Sequence, residues 1–315
     1  MSNLNVPKKK IAPRDAFGRA LEELGAEKDF VVLCADLADA TRAGWFAEKY
    51  PDRYIECGIA EANMMSVAAG IATTGKPAVA STFAMFAAGR AYEQVRNSIA
   101  YPHLNVKIGA THAGLSVGED GATHQCLEDL GLMRMLPGMT VLSPCDGIET
   151  AKAVKAALEI DGPVYIRMGR AAVDVLTEET TEFIPGKGAV MADGKDAVVF
   201  ATGVMVAEAM KARDLLAEQG IDLAVVNIHT IKPIDKELIA CYAKKTGHVF
   251  TAEDHFVEGG LGSAVCEVLA ECAPTPVCRI GVKDAFGRSG TFDALLEQYG
   301  MSAACMAKTI AQALK

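Results

Sequence analysis

The chain repeatedly alternates a short, unbroken apolar run with a segment long enough to form a helix. The first run, Phe-Val-Val-Leu-Cys-Ala at 30–35, follows an amphipathic segment at 15–25. A run that does not alternate with polar residues is typical of a parallel strand buried on both faces. Similar runs occur at 77–81, 104–110, 139–143 and 164–167. Alternating strands and helices predict a doubly wound, mainly parallel-sheet α/β domain.

A second set of the same kind follows a polar, glycine-rich stretch. Its apolar runs are 197–201, 223–228, 248–252 and 277–282, with helical segments at 206–218 and 236–245. At 315 residues the chain is long for one core and suits two domains of ~100–200 residues. We therefore expect an α/β domain over 12–176, a linker over 177–195 and a smaller α/β domain over 196–315.

Composition excludes several classes of partner. The net charge of -9 offers no general attraction to nucleic acid or to an anionic membrane. The sequence has no run of ~18 apolar residues, and its first residues lack the apolar core of a signal peptide. The nine cysteines are scattered without a Cys-x-x-Cys motif, which favours reduced thiols. We expect a cytoplasmic protein, with the lysines at 8–10 in a solvated tail.

A carboxylate stands at the head of an apolar helical segment. Glu61 lies within Cys-Gly-Ile-Ala-Glu-Ala-Asn-Met-Met, at 57–65, and most of its neighbours are apolar. Burying a carboxylate is costly unless a positive or protonated group meets it. The alternative is a partly hydrated position in the first helical turn, where the helix dipole favours negative charge.

Two further motifs follow predicted strands. Ser-Thr-Phe at 81–83 places Phe83 three residues before Phe86, and Gly-Glu-Asp-Gly-Ala-Thr-His-Gln occupies 118–125. Open α/β sheets bind ligands beyond the carboxyl ends of their strands, where this glycine-framed loop is expected. Taken singly, the phenylalanines would be core residues and the loop a surface turn.

Taken together, and with Pro-Cys-Asp at 144–146, these motifs resemble the transketolase family, which includes deoxyxylulose-5-phosphate synthase. The resemblance runs from about residue 14 to 170 and continues more loosely through the second domain. Several motifs in one order are far more specific than any one of them. The resemblance implies a thiamine diphosphate enzyme of pentose phosphate metabolism, which transfers a two-carbon ketol unit between sugar phosphates.

The resemblance also implies roles for residues at the cofactor. Glu61 matches the catalytic glutamate that hydrogen-bonds N1′ of the aminopyrimidine ring. Phe86, with Phe83 beside it, matches the aromatic residues that stack on that ring. Asp36 matches an acidic residue near the cofactor and the subunit interface, although a cap at the end of a strand explains it nearly as well.

Other matches concern the substrate. His124 matches a catalytic histidine at the reactive side of the cofactor, where it could stabilise negative charge on oxygen or move protons. Asp120 matches the acid that binds a substrate hydroxyl. His112 and Arg170 match positions that hold the terminal phosphate of the sugar, and the forked guanidinium suits that anion. For Arg170 the alternative is an ordinary surface ion pair.

The sequence departs from the family pattern in two places. Gly89 stands where many members have a third aromatic residue, and one residue is inserted before Val95, so Tyr92 is the candidate replacement. Ala-Thr-Arg at 40–42 occupies the region of a phosphate-holding serine, so the preference for donor or acceptor sugars can differ.

The sequence contains no Gly-Asp-Gly motif, through which family members bind Mg²⁺ and the diphosphate. We therefore expect no metal ligand in this chain, and a separate N-terminal transketolase subunit that holds Mg²⁺ in a two-fold symmetric heterotetramer. In the second domain, the glycine-rich helix start at 259–263 is expected to serve close packing rather than phosphate binding.

Three other functions stay open. The β subunit of a 2-oxo acid dehydrogenase has the same layout, and a split 1-deoxy-D-xylulose-5-phosphate synthase would share the motifs at 81–83 and 90–95. The loop at 119–125 favours ketol transfer over the former. A non-catalytic scaffold subunit would have no need of Glu61, Phe86, Asp120 and His124 together.

Overall fold

The computed structural model describes residues 10–315, so Lys8 and Lys9 of the predicted basic tail lie outside the described residues. The strands are β1 (Lys10–Ile11), β2 (Val31–Cys34), β3 (Tyr54–Glu56), β4 (Ala78–Phe83), β5 (Val106–Thr111), β6 (Thr140–Leu142), β7 (Val164–Arg167), β8 (Val173–Asp174), β9 (Ala189–Ala192), β10 (Ala197–Ala201), β11 (Leu223–Asn227), β12 (Thr230–Lys232), β13 (Val249–Phe256) and β14 (Val277–Val282).

The α-helices alternate with these strands along most of the chain. They are α1 (Pro13–Leu24), α2 (Ala38–Thr41), α3 (Ala43–Lys49), α4 (Glu61–Ala72), α5 (Tyr92–Gln94), α6 (Asp129–Arg134), α7 (Gly147–Glu159), α8 (Met205–Ala217), α9 (Lys236–Thr246), α10 (Leu261–Cys272), α11 (Phe292–Gln298) and α12 (Ala303–Ala313). Within residues 10–315, no helix combines the length and the apolar character needed to cross a membrane.

The first sheet has the order β12-β6-β7-β5-β4-β2-β3, and its pairings are parallel except for that of β12 with β6. Successive side chains of a strand point to opposite faces. Val32 accordingly packs with Phe17 and Leu21 of α1, whereas Leu33 packs with Met64 of α4 on the other face. Both faces of the sheet are covered, which confirms the predicted doubly wound α/β fold.

The second sheet has the order β14-β13-β10-β11-β9, and β9 is its antiparallel edge strand. The prediction of a linker over 177–195 is therefore wrong at Ala189–Ala192. This four-residue strand is only partly buried, and its pairing with β11 supplies the order that its own sequence does not signal. β12 was also not predicted, and it extends the first sheet from the second half of the chain.

A buried ion pair fastens the two halves of the chain together. Arg167, at the end of β7, donates from Nε to Asp129 Oδ2 at 2.9 Å, and Tyr165 Oη donates to the same oxygen at 2.9 Å. Arg167 also donates to the backbone oxygen of Asp254 at 2.7 Å. The Asp254 carboxylate in turn accepts from the backbone N–H of Leu115 at 2.8 Å. These contacts join β7, α6, β13 and the segment that begins at Leu115.

Removing Arg167 should destabilise the protein strongly. Arg167→Met leaves Asp129 buried without its positive partner, and breaking a buried pair in this way costs about 3–5 kcal/mol. Lys76→Met is the matched control, because its pair with Asp29 is solvent-exposed and contributes ~0–1 kcal/mol. Urea unfolding of both variants measures the difference. Equal, small losses in both would show that the buried pair is not an important contact.

Candidate active site

The residues selected from the sequence lie at the carboxyl ends of neighbouring strands of the first sheet. Glu61 is the first residue of α4 and is 1% exposed. Phe83 ends β4, and His112 directly follows β5, which pairs with β4. Because parallel strands end at the same edge of a sheet, residues far apart in sequence converge here.

Four rings form one cluster at this edge. Phe83 stacks with Phe86, with ring centroids 5.7 Å apart, and with His112, with centroids 3.8 Å apart. His124 meets both phenylalanines edge-on, at 6.3 Å from Phe83 and 5.6 Å from Phe86. The two sequence motifs at 81–86 and 118–125 thus contribute to a single aromatic surface.

Arg90 lies in this cluster, and sequence reasoning missed it. Its Nη1 donates to both oxygens of Glu61, at 3.0 Å and 2.8 Å. Its guanidinium carbon lies 4.5 Å from the centre of the Phe86 ring, in a cation–π contact. The buried Glu61 carboxylate therefore has the positive partner that its burial requires, rather than the hydrated first-turn position that was the alternative.

The backbone between Phe86 and Ala100 explains this position of Arg90. Phe86–Arg90 and Val95–Ala100 are π-helical turns on either side of α5. A π turn accommodates one more residue than an α turn, which agrees with the single insertion predicted before Val95. Tyr92, the expected replacement aromatic, instead donates its hydroxyl to the backbone oxygen of Leu132 at 3.0 Å. Arg90, not Tyr92, covers Phe86.

The loop that carries Asp120 and His124 is shaped by glycine and by contacts from the second domain. Gly121 has φ of 77°, in the region that favours glycine. Gln125 Nε2 donates to the backbone oxygen of Arg288, in the segment before α11, at 3.0 Å. His124 Nδ1 lies 2.9 Å from the Thr123 hydroxyl, while Asp120 is exposed.

A positively charged pocket adjoins the ring cluster. A cavity of about 250 Å³ is lined in part by Arg14, Ser116, Glu119 and Arg170. Arg14 Nη1 lies 3.4 Å from Nε2 of the buried His112. Arg14, in the first turn of α1, was not singled out from the sequence, where an arginine at a helix start carries no signal of its own.

Burial lowers the pKa of His112 to about 3, and the nearby charges of Arg14 and Arg170 act in the same direction. His112 is therefore neutral at physiological pH and can both donate and accept hydrogen bonds. Arg170 donates to the backbone oxygen of Val117 at 2.7 Å and also pairs with Glu119 at 3.3 Å. Arg170 thus forms the ion pair that was its alternative interpretation. It also lines the pocket, so its predicted role in holding the terminal phosphate of the sugar stays open.

Asp36 lies in a different surface depression, of about 320 Å³, together with Leu37, Asp39 and Glu56. Its φ is 57°, an uncommon conformation for a residue with a side chain. Its backbone N–H donates to Glu56 Oε1 at 2.8 Å, which holds the turn after β2. The carboxylate that holds this turn belongs to Glu56, so both interpretations of Asp36, a strand-end cap and a residue beside the cofactor, stay predictions.

The glycine-rich start of α10 is used for packing. The backbone N–H groups of Leu261 and Gly262 donate to the buried Glu253 carboxylate at 2.6 Å and 2.7 Å. A Cβ atom at Gly260 would lie 2.0 Å from Glu253 Oε2. The groups that could bind a phosphate already have a partner, as expected for close helix–sheet packing. Elsewhere in residues 10–315, no three potential His, Cys, Asp or Glu metal ligands come together.

Comparisons with known proteins agree with this architecture. Residues 9–174 match the transketolase pyrimidine-binding domain, and residues 186–306 match the transketolase C-terminal domain. A candidate transketolase C-terminal section from Methanocaldococcus jannaschii is 47% identical over 96% of both chains. A 6-deoxy-6-sulfo-D-fructose transketolase subunit from Clostridium sp. is 44% identical over 92% of this chain and 90% of its own length.

A solved structure covers nearly the whole chain. It is described as a split-gene transketolase in an inactive β4 tetramer, and it is 50% identical with a TM-score of 0.89. The match includes 97% of this chain and 99% of the solved chain. The chain therefore belongs to the transketolase family, with a pyrimidine-binding domain followed by a C-terminal domain.

Proposed function

We propose that the chain is the pyrimidine-binding, catalytic subunit of a thiamine diphosphate-dependent transketolase, which transfers a two-carbon ketol unit between sugar phosphates. The observation that carries the proposal is the buried Glu61 carboxylate, whose partner Arg90 also lies over the face of Phe86. A buried carboxylate and an aromatic face reached by one planar group suit a flat ring that shares a proton with the carboxylate.

The contacts of Arg90 support the fit of such a ring. The guanidinium of Arg90 is flat, donates to Glu61 and lies over Phe86, so a planar hydrogen-bonding group is accepted there. The aminopyrimidine ring is likewise flat, and its N1′ can share a proton with the Glu61 carboxyl group. When bound, thiamine diphosphate supplies the electron sink for carbon–carbon bond cleavage and formation.

Each residue of the cluster has a proposed part in this reaction. Glu61 binds the ring nitrogen N1′, and Phe86 orients the ring by stacking, supported by Phe83. His124, edge-on to both rings, holds or moves a proton at the oxygen of the reacting sugar. The exposed Asp120, four residues earlier in the same loop, binds a substrate hydroxyl.

The positively charged pocket is proposed to hold the anionic end of the sugar. Arg14, His112 and Arg170 offer several N–H donors, and arginine forms strong charge-assisted hydrogen bonds with tetrahedral anions. The pocket lies next to the ring cluster, since Arg14 lines the pocket and its Nη1 lies 3.4 Å from Nε2 of His112. The same donors suit a phosphate or a sulfonate, the group named for the sulfofructose relative.

We propose that Mg²⁺ and the diphosphate are held by a separate N-terminal subunit. The sequence lacks Gly-Asp-Gly, and the split-gene relative that covers the same two domains is described as inactive in a β4 tetramer. The active form would be a cytoplasmic heterotetramer, with Asp36 near the cofactor and the contact between subunits.

Replacing Glu61 should abolish ketol transfer. Glu61→Ala removes the hydrogen bond to the ring nitrogen, and the expected loss of activity is at least ~100-fold. Ketol transfer is measured in a complex with a Gly-Asp-Gly-containing partner, and circular dichroism checks folding. Glu48→Ala, an exposed substitution on α3, is the matched control. Near-normal turnover of Glu61→Ala would contradict the role of Glu61.

Cofactor binding should require the partner subunit. Thiamine diphosphate with Mg²⁺ is titrated calorimetrically into this chain alone, and then into the chain mixed with the partner. We expect binding and ketol transfer only in the mixture, because one chain provides the pyrimidine site and the other the diphosphate site. Tight, metal-dependent binding by the lone chain would show that the diphosphate site has been assigned to the wrong subunit.

Removing a pocket arginine should affect charged substrates selectively. Arg14→Met removes a charge-assisted hydrogen bond worth ~1.5–3 kcal/mol, so KM for a phosphorylated acceptor should rise roughly 10- to 100-fold with little change in kcat. KM for glycolaldehyde, which carries no anion, should not change. An equal effect on both acceptors would contradict the assignment of the pocket.

A further inference from the structure

Arg90 makes both contacts that the proposed function assigns to the pyrimidine ring. Its Nη1 bonds both oxygens of Glu61, and its guanidinium lies 4.5 Å from the centre of Phe86. We propose that Arg90 is an internal occupant of the pyrimidine site, which thiamine diphosphate must displace when the holoenzyme assembles. The inference rests on the proposed function, since it names that cofactor as the competitor.

The two occupants exclude each other because they need the same partners. Glu61 is 1% exposed, so a ring nitrogen can reach its carboxylate oxygens only from within the proposed pyrimidine site. Arg90 occupies both oxygens there, and the same guanidinium covers Phe86. A ring cannot stack on Phe86 and bond Glu61 while Arg90 stays in place.

Arg90 can leave without rearrangement of the backbone. Its side chain is 51% exposed, so only its terminal group is inserted in the site. Arg90 ends the π-helical turn Phe86–Arg90, and its long side chain can rotate towards solvent while the backbone of that turn stays in place.

The contact also has a reason to exist in the absence of cofactor. An unpaired carboxylate as deeply buried as Glu61 is strongly unfavourable. Arg90 neutralises that charge until the ring replaces it. The apparent affinity for the cofactor is then the intrinsic affinity reduced by the fraction of molecules in which the site is free.

The first test measures the contact in the lone chain without cofactor. Arg90→Ala should lower the urea midpoint, because Glu61 then lacks its partner. Adding Glu61→Gln should restore much of that loss, because a neutral amide tolerates burial without Arg90. Arg96→Ala, an exposed arginine in the next turn, is the matched control and should show no such coupling with Glu61→Gln. Additive effects of Arg90→Ala and Glu61→Gln would overturn the inference.

The second test measures competition in the assembled complex. Thiamine diphosphate with Mg²⁺ should bind the Arg90→Ala complex about tenfold more tightly than the wild type, with Arg96→Ala unchanged. The ratio should shrink at high salt, which screens the charge of the half-exposed Arg90 side chain, whereas alanine has no charge to screen. Equal or weaker binding by Arg90→Ala would overturn the inference and leave the proposed function intact. Binding to none of the complexes would overturn both.

Discussion

The buried contact of Arg167 with Asp129 and Asp254 is the constraint on which the site depends. Arg167 ends a strand of the first sheet, and Asp254 lies in a strand of the second, so one guanidinium connects the two halves. Burial raises the pKa of the Asp254 carboxyl to about 6, against the opposing charge of Arg167. Asp254 in turn holds the backbone of Leu115 and Ser116, from which the loop with Asp120 and His124 continues. The second domain thereby takes part in shaping a site whose other residues all come from the first.

A buried carboxylate also governs the proposed pyrimidine site, in two ways. In the proposed function, Glu61 bonds a ring, and an apolar setting strengthens that hydrogen bond. The same setting makes an unpaired Glu61 carboxylate unfavourable, and the ion pair with Arg90 offsets that cost. The π-helical turn Phe86–Arg90 lets Arg90 both pair with Glu61 and cover the ring of Phe86. The local backbone, and not the charge alone, therefore determines how these three side chains are arranged.

Features that follow from continuous patterns could be predicted from the sequence. Features that depend on contacts between distant residues could not. The buried strands around Val32, Val79 and Ile108 were recognisable because a two-sided core leaves no polar alternation. β12 and β9 were not, because each is short and takes its order from a partner strand. The motifs carried Glu61, Phe86 and His124, but Arg14 and Arg90 are ordinary surface residue types in sequence. Their importance arises from neighbours 98 and 29 positions away, at His112 and Glu61.

Burial also determines which side chains at the proposed anion pocket carry positive charge. His112 is 2% exposed and its pKa is about 3, so it is neutral wherever the protein is expected to work. Positive charge in the pocket then comes from the guanidinium groups of Arg14 and Arg170. His112 supplies a directional hydrogen bond and a stacking surface for Phe83 instead. In the proposed function, the charges that attract an anionic sugar therefore do not depend on the protonation of His112. The contact of Arg14 with His112 connects the pocket to the ring cluster.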